Sequence, residues 1–201
     1  RDWSSDVCSS DLNLDTHDQS GSHWVGLYTD LSNNKLYYFD SVGKKPGKRI
    51  KRFNNKKLID LAKNIRSFLI SVISKTGGHI GANLGTIEIS IALHKVFNSP
   101  KDKLIFDTGH QAYTHKILTG RANKLKKLNI YNSGISRFTD RTESVHDIID
   151  VSHAATSIPI ACGFAKSFYE NKINHHAIAI IGDGSLVEGM SFEGLNFATS
   201  E

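Results

Sequence analysis

The sequence predicts an α/β chain, a partial parallel-sheet domain preceded by a β-hairpin segment. Three observations carry this reading. The apolar run at 176–181, HAIAII, passes directly into Gly182-Asp183-Gly184-Ser185 and then into a helical pattern. Strand, glycine-rich turn and helix in that order form the unit of a parallel sheet whose ligands gather at the strands' carboxyl ends. A second apolar stretch at 103–108, KLIFDT, stands among helical segments. Nearer the front, HWVGLYTDL and KLYYFDS are rich in aromatic and β-branched residues and are joined by Ser-Asn-Asn, the local pattern of a hairpin.

Along the chain, residues 1–12 (RDWSSDVCSSDL) show neither helical nor strand periodicity and no signal-peptide hydrophobic core. Back-translated, they match one reading frame of a widely used sequencing adapter, and they are set outside the fold as an artefact. Residues 13–53 hold the hairpin and end in a Lys/Arg run at 44–52 with few interleaved aromatics, read as a solvated linker. The third block, 54–201, opens with Leu58, Leu61, Ala62, Ile65, Phe68, Leu69, Val72 and Ile73 at helical spacing. Thr76-Gly77-Gly78 stops that helix, since paired glycines supply the left-handed end a helix needs. A second helix over 85–97 leads to a turn at Pro100, a short helix covers 111–119, and 129–150 has few regular signals. A small-residue helix spans 154–169, with Pro159 near its first turn, where the missing N–H costs nothing.

Composition excludes some functions. The 201 residues carry 25 Lys and Arg against 20 Asp and Glu, a net charge of +5. That mild excess permits phosphate-bearing partners without calling for nucleic acid. No apolar run approaches the ~20 residues of a membrane span. Cys8 and Cys162 cannot build a disulfide framework, so a reducing, cytoplasmic setting is expected.

The chemistry concentrates in the third block. In Gly182-Asp183-Gly184-Ser185 the glycines let a phosphate or metal approach the backbone, the following helix start offers N–H donors, and Asp183 offers a hard oxygen to Mg²⁺. By itself this tetrapeptide is also an ordinary turn; its place behind a buried strand is what raises its value. His79 (TGGHIGANLG), His110 (DTGHQAY) and His153 (VSHAATS) each stand beside small residues at element ends. Any one of them could be structural. Three at the ends where α/β proteins bind ligands suggest oxyanion binding and proton transfer. Neither HExxH nor CxxC occurs, so no zinc motif is present.

Five ordered segments carry a specific resemblance: SKTGGHIGANLGTIE (74–88), DTGHQAYTHKILTGR (107–121), RFTDRTESVHD (137–147), SHAATSI (152–158) and GDGSLVEGMSFEGLN (182–196). Together they resemble the N-terminal domain of the 1-deoxy-D-xylulose-5-phosphate synthases, thiamine-diphosphate enzymes of the transketolase superfamily. The resemblance implies decarboxylative condensation of pyruvate with glyceraldehyde 3-phosphate, with thiamine diphosphate and Mg²⁺ as cofactors and a homodimer as the complete enzyme. It implies Asp183 as Mg²⁺ ligand and Gly182, Gly184 and Ser185 as the diphosphate turn. It places His110 in the cofactor and substrate site, His79 as a second active-site histidine, and His153, Ala154, Ala155 and Thr156 in the segment wrapping the cofactor. His115 and Glu143 could instead only hold loops in place.

Three departures from the family pattern bear on substrate choice. Ser152 stands where a glycine is usual, Ala154-Ala155 replaces two serines, and Glu188-Gly189 is closer to transketolase and 2-oxo-acid dehydrogenase E1 subunits. The asparagine that completes the metal motif falls beyond Glu201, as does the carboxylate-bearing domain that activates the cofactor, so this stretch alone is expected to be inactive. A separate resemblance concerns the hairpin. GSHW and YFDS resemble the His and Asp elements of adenain/SUMO-protease-like cysteine peptidases, with His23 and Asp40 in those places, but the Gln…Cys-Gly nucleophile element has no counterpart here.

Overall fold

The computed structural model describes residues 7–13, 24–30, 35–40, 56–131, 134–150 and 153–200. The chain divides into two compact units, 1–63 and 64–201.

In the first unit, β1 (Val7–Asn13), β2 (Trp24–Asp30) and β3 (Lys35–Asp40) form an antiparallel sheet in the order β1-β2-β3. The expected hairpin is β2–β3, in register from Val25 opposite Asp40 to Asp30 opposite Lys35. Most of β1 was expected to lie outside the fold, yet it pairs along β2 from Val7 opposite Asp30 to Asn13 opposite Trp24. Ladder bonds use backbone groups that every non-proline residue carries, so a segment without side-chain periodicity can still be paired. His23 and the basic run at 44–52 lie outside the described residues.

The second unit begins inside α1 (Lys56–Thr76). Ile65, Leu69, Val72 and Ile73 are buried on one stripe of it, the i, i+4, i+7, i+8 pattern the sequence shows. Gly77 (φ +73°) ends the helix in the left-handed region, its N–H donating to Ile73 O at 2.8 Å.

The helix expected over 85–97 is α3 (Ile87–Val96), and a short helix the sequence pattern did not show, α2 (Ile80–Gly85), precedes it. The break is Thr86, at φ −106° and ψ 8°. Its hydroxyl, with one proton to give, lies 3.1 Å from Ala82 O within α2 and 3.0 Å from Gln111 O on another segment.

Next come β4 (Lys103–Phe106), α4 (Tyr113–Lys116), a wide turn at Ile117–Arg121, and α5 (Ala122–Leu125). In that turn Gly120 has φ +89° and interrupts the helical path. Then follow α6 (Ser157–Glu170), β5 (Ala177–Ile180), α7 (Asp183–Leu186) and α8 (Gly189–Ser200). β4 and β5 pair in parallel, Lys103 opposite Ala177 through Phe106 opposite Ile180. The described residues of the second unit are therefore largely helical, with a buried two-stranded parallel sheet. Leu104, Ile105 and Phe106 are fully buried, as are Leu69, Ile87, Leu93, Tyr113, Leu125 and Leu128.

Helix α6 starts three residues later than the small-residue pattern suggests. Ala155 sits at φ +67°, outside helical space, and the reason lies in the site described below. Helix α8 approaches α6 closely at Gly194, where an added Cβ would meet Ile158 Cγ2 and Pro159 Cδ at 2.9 Å. Val187, Met190, Phe192 and Phe197 leave apolar surface exposed on α7–α8 and the turn between them. Among the described residues no helix is long and apolar enough to cross a membrane.

Candidate active site at the carboxyl end of the parallel strands

The site is built on the segments that leave β4 and β5. After β4 the chain turns through Asp107, Thr108 (φ +59°) and Gly109 (φ +83°). A Cβ on Gly109 would stand 3.0 Å from both the backbone N and Oγ1 of Thr139. Glycine is therefore needed twice over, for its dihedral and for the close approach. This turn delivers His110. The turn before α2 delivers His79, where Gly78 (φ +143°) leaves room for the Tyr113 hydroxyl and Leu128.

The two imidazoles meet edge to face, ring centroids 5.4 Å apart, and Phe138 lies 5.9 Å from His79. Asn83, wholly buried, fixes the pair from behind. Its Nδ2 donates to His79 O at 2.7 Å and His110 O at 2.8 Å, and its Oδ1 accepts from Tyr113 N at 2.8 Å. Both Nδ1 atoms, on His79 and His110, are buried without a hydrogen-bond partner. Burial, followed by the neighbouring His79, holds the His110 imidazole below its ordinary pKa, so it is neutral and able to accept a proton at neutral pH.

Asp107 organises the other half. It is 1% exposed, and its carboxylate accepts from Ala155 N at 2.9 Å and Ser157 N at 3.0 Å. This explains the late start of α6. The cap residue Thr156 makes no side-chain cap bond of its own, and a carboxylate from another element takes the free N–H groups, with Ala155 held in the left-handed region to present one of them. Burial opposes ionisation of Asp107, yet the bonds from Ser157 and Ala155, with the Ser185 hydroxyl close by, hold its pKa below the usual carboxylate value.

His153 is exposed, Ala154 and Thr156 are half-buried, Ala155 is buried, and Thr156 Oγ1 donates to His153 O at 2.9 Å. Ser152 lies outside the described residues. Gly182 caps α7, and Asp183 and Gly184 are exposed, with Asp183 Oδ1 accepting from Gly184 N at 2.9 Å. Ser185 is half-buried, and its carbonyl accepts from Ser191 Oγ at 2.8 Å. His79 and His110 are thus brought together, and Asp107 links the 153–157 segment to β4. Among the described residues neither histidine is hydrogen-bonded or ion-paired to Asp183. No group of three or more His, Cys, Asp or Glu side chains there could hold a metal ion unaided.

A second polar cluster lies behind α4. His115 Nε2 pairs with Asp147 Oδ1 at 3.1 Å, and Arg121 clamps Asp147 with two bonds of 2.7 and 2.6 Å. Lys116, its side chain fully buried, donates to Glu143 Oε2 at 2.6 Å. Glu143 also accepts from the backbone of Ser136. His115 and Glu143 therefore pin the 136–147 loop, the structural alternative open in the sequence. Sequence reasoning missed Asn83, Asp107 and Asp147. For Asp107 a signal existed, since it directly follows a buried strand at its ligand-facing end.

Similarity to known proteins completes this picture. Residues 43–201 match the family model described as 1-deoxy-D-xylulose-5-phosphate synthase. The match opens before the basic run at 44–52. The 1-deoxy-D-xylulose-5-phosphate synthase of Cutibacterium acnes is 51% identical over 147 residues, which is 73% of this chain and 23% of that protein. The enzyme of the same name from Geobacillus sp. (strain WCH70) is 52% identical over the same extents. That of Clostridium acetobutylicum is 50% identical over 73% of this chain and 24% of its own length. The chain spans under a quarter of the length of these curated relatives. By the family match and by these identities, the chain belongs to the 1-deoxy-D-xylulose-5-phosphate synthase family.

Proposed function

We propose that the chain is the cofactor-holding part of an enzyme that condenses pyruvate with glyceraldehyde 3-phosphate, releasing CO₂ and forming 1-deoxy-D-xylulose 5-phosphate. The cofactors of this reading are thiamine diphosphate and Mg²⁺, and the complete enzyme is a homodimer. The observation that carries it is the pair His79 and His110, two contacting imidazoles with buried Nδ1 atoms left unpartnered, in a chain of this family.

The residues fit the cofactor. Asp183 presents an exposed carboxylate between Gly182 and Gly184, and a Cβ on either glycine would meet nothing within 4 Å. The space before that turn is open. One carboxylate suits Mg²⁺, which completes its shell with phosphate oxygens and water rather than a protein cage. Asp183 holds the metal, Gly182, Gly184 and Ser185 hold the diphosphate, and His153, Ala154, Ala155 and Thr156 wrap the cofactor. Thiamine diphosphate supplies the electron sink for decarboxylation and carbon–carbon bond formation. Neutral His110 moves protons beside it, and His79 binds the acceptor and exchanges a proton with its carbonyl oxygen.

Calorimetric titration of the 201-residue chain with thiamine diphosphate tests this. Binding that needs Mg²⁺ is expected, and loss of binding in Asp183→Ala. No 1-deoxy-D-xylulose 5-phosphate is expected from these residues alone. Absence of binding, or binding indifferent to Mg²⁺ and to Asp183→Ala, would overturn the reading.

A further inference from the structure

We infer that Phe138 is the positioning residue of the histidine pair, holding the His79 and His110 rings against each other from the loop over 136–140; the geometry stands by itself, and its purpose rests on the proposed function. Asn83 ties the backbones of both histidines through their carbonyls. That leaves the rings to be oriented by something else. Neither Nδ1 has a hydrogen-bond partner. What fixes the imidazoles is ring contact: His79 meets His110 at 5.4 Å and 66°, and Phe138 at 5.9 Å and 50°. Contacts of this kind are directional, because aromatic rings prefer particular mutual angles and do not attract by bulk alone.

The same residue reaches the other histidine turn. A Cβ built on Gly109 would stand 3.7 Å from Phe138 Cα and 3.0 Å from Thr139 N, and the Gly109 turn delivers His110. Phe138 therefore lies against both turns, with its side chain on one and its main chain on the other.

A loop residue can position others only if it is itself held. Residues 136–140 form neither helix nor strand, so their backbone groups must find partners on other segments. Ser136 N donates to Glu143 Oε1, and Asp140 N to Asp147 Oδ2 at 2.8 Å. Both carboxylates are in turn clamped by buried cations, Glu143 by Lys116 and Arg121 and Asp147 by Arg121. Arg137 Nε donates to Asn129 Oδ1, and Asn129 Nδ2 to Thr76 O at 2.7 Å, at the end of α1 just before the His79 turn. Phe138 N donates to Ser136 Oγ at 3.1 Å, and Thr139 is 3% exposed. The buried charges behind α4 thus carry the loop, and the loop carries Phe138 to the pair. Leucine at this place would keep apolar bulk and lose the directed ring contact, leaving the His79 imidazole free to turn away from His110.

The test is histidine-selective NMR on the full chain, comparing wild type with Phe138→Ala, Phe138→Leu and Phe164→Ala. Phe164 is likewise half-buried, but it packs on Phe168 and Lys103, so its loss gauges a merely structural effect. Two readouts are taken: the cross-relaxation peak between the His79 and His110 rings, and the titration midpoint of His110. Burial, then His79, holds that imidazole low, with Asp107 opposing them. A midpoint, unlike a chemical shift, does not register the ring current of Phe138 itself. In both Phe138 variants the cross-peak should be lost and the midpoint should rise toward the ordinary histidine value. Phe164→Ala should leave both as in wild type. Mg²⁺-dependent thiamine diphosphate affinity, measured on the same samples, should fall about tenfold in the Phe138 variants, the lower end of what is lost with a group that orients ligand-holding residues. Wild-type behaviour of Phe138→Leu in both NMR readouts would overturn the inference, since bulk alone would then suffice, as would equal changes in Phe164→Ala. Should Phe138→Ala fail to fold, Phe138→Leu decides. Should wild type bind no cofactor, the proposed function fails, and the two NMR readouts still decide the role of Phe138.

Discussion

Two polar clusters adjoin α4, one through His115 and Lys116 and the other through Tyr113 and Asn83, and they are completed in different ways. Behind the helix, Asp147 receives His115, both ends of Arg121 and the Asp140 N–H, while Glu143 receives Lys116, Arg121 and the Ser136 backbone. Both carboxylates are saturated by the protein itself. At the front, His79 and His110 touch each other and keep buried nitrogens with no partner. A fold stabilises itself by satisfying buried polar groups. Unpartnered buried atoms occur in both clusters, Arg121 Nε in the first and the two imidazole Nδ1 atoms in the second, but only in the second do they sit side by side on contacting rings. We read the first cluster as scaffold and the second as the proposed site, although both contain histidines.

The largest effect should come from breaking the scaffold cluster. Asp147→Ala removes the carboxylate that pairs with His115 and that Arg121 clamps with two bonds, leaving Arg121 only its longer contact with Glu143. Leaving a buried charge without its partner costs about 3–5 kcal/mol, which urea unfolding at pH 7 would show as a marked drop in midpoint. A loss under about 1 kcal/mol would mean that the pair is effectively exposed, and the contrast between the clusters would fall. Acid should attack the same cluster. Burial, then the charges of His115 and His146, lowers the His94 pKa from 6.5 to about 4, and His94 Nε2 lies 2.9 Å from His115 Nδ1. The unfolded chain binds a proton on His94 below about 6.5 and the folded chain only below about 4, so protons favour unfolding across that window. Asp147, held well below the usual carboxylate range by His115 and Arg121 despite its burial, extends the loss below pH 4, since the unfolded carboxyl protonates first. Stability should be level above pH 7 and fall steadily from 6.5 downward. His94→Gln should flatten the slope between 6.5 and 4, and an unchanged slope would remove His94 from the account.

Asn83 ties the two histidine turns to the start of α4 and should give an intermediate effect. Asn83→Ala leaves the Tyr113 N–H and two carbonyls without their bonds, at about 1–3 kcal/mol for buried groups left unsatisfied. It should also separate the histidine turns, so cofactor affinity falls together with stability. A stability loss with unchanged affinity would place Asn83 wholly in the scaffold.

The sequence is legible where one force acts alone. Helix α1 follows from its apolar spacing and its glycine stop. β4 and β5 follow from short apolar runs, and the resemblance marks His79, His110 and Asp183 before any fold is seen. What escapes is the work of side chains that reach across. Thr86 stands between α2 and α3 with its hydroxyl on the Gln111 carbonyl, distant in sequence. Helix α6 begins late because Asp107 takes its first N–H groups. Asp147 reads as a loop acid until Arg121 is seen to clamp it. The pairing of β1 escapes for a different reason, since backbone ladders leave no mark on composition. In each case the local pattern is honest about the segment and silent about its partner.

The smallest stability effect, and the sharpest test of the contrast, belongs to the histidine pair. Neither Nδ1 has a partner to lose, so His79→Ala and His110→Ala each should change unfolding free energy by less than about 1 kcal/mol. Binding should respond in the opposite sense. A hydrogen bond to a charged ligand group contributes about 1.5–3 kcal/mol, so if His110 lies against the cofactor as proposed, His110→Ala would weaken affinity by roughly tenfold or more. The two measurements together place each residue on a plane of stability against affinity. Asp147→Ala should lie far along the stability axis, Asn83→Ala on the diagonal, and His110→Ala along the affinity axis. If His110→Ala instead destabilises the chain more than Asn83→Ala does, the imidazole is a packing element, its empty nitrogen faces nothing that binds, and the distinction between scaffold and site dissolves at its most exposed point.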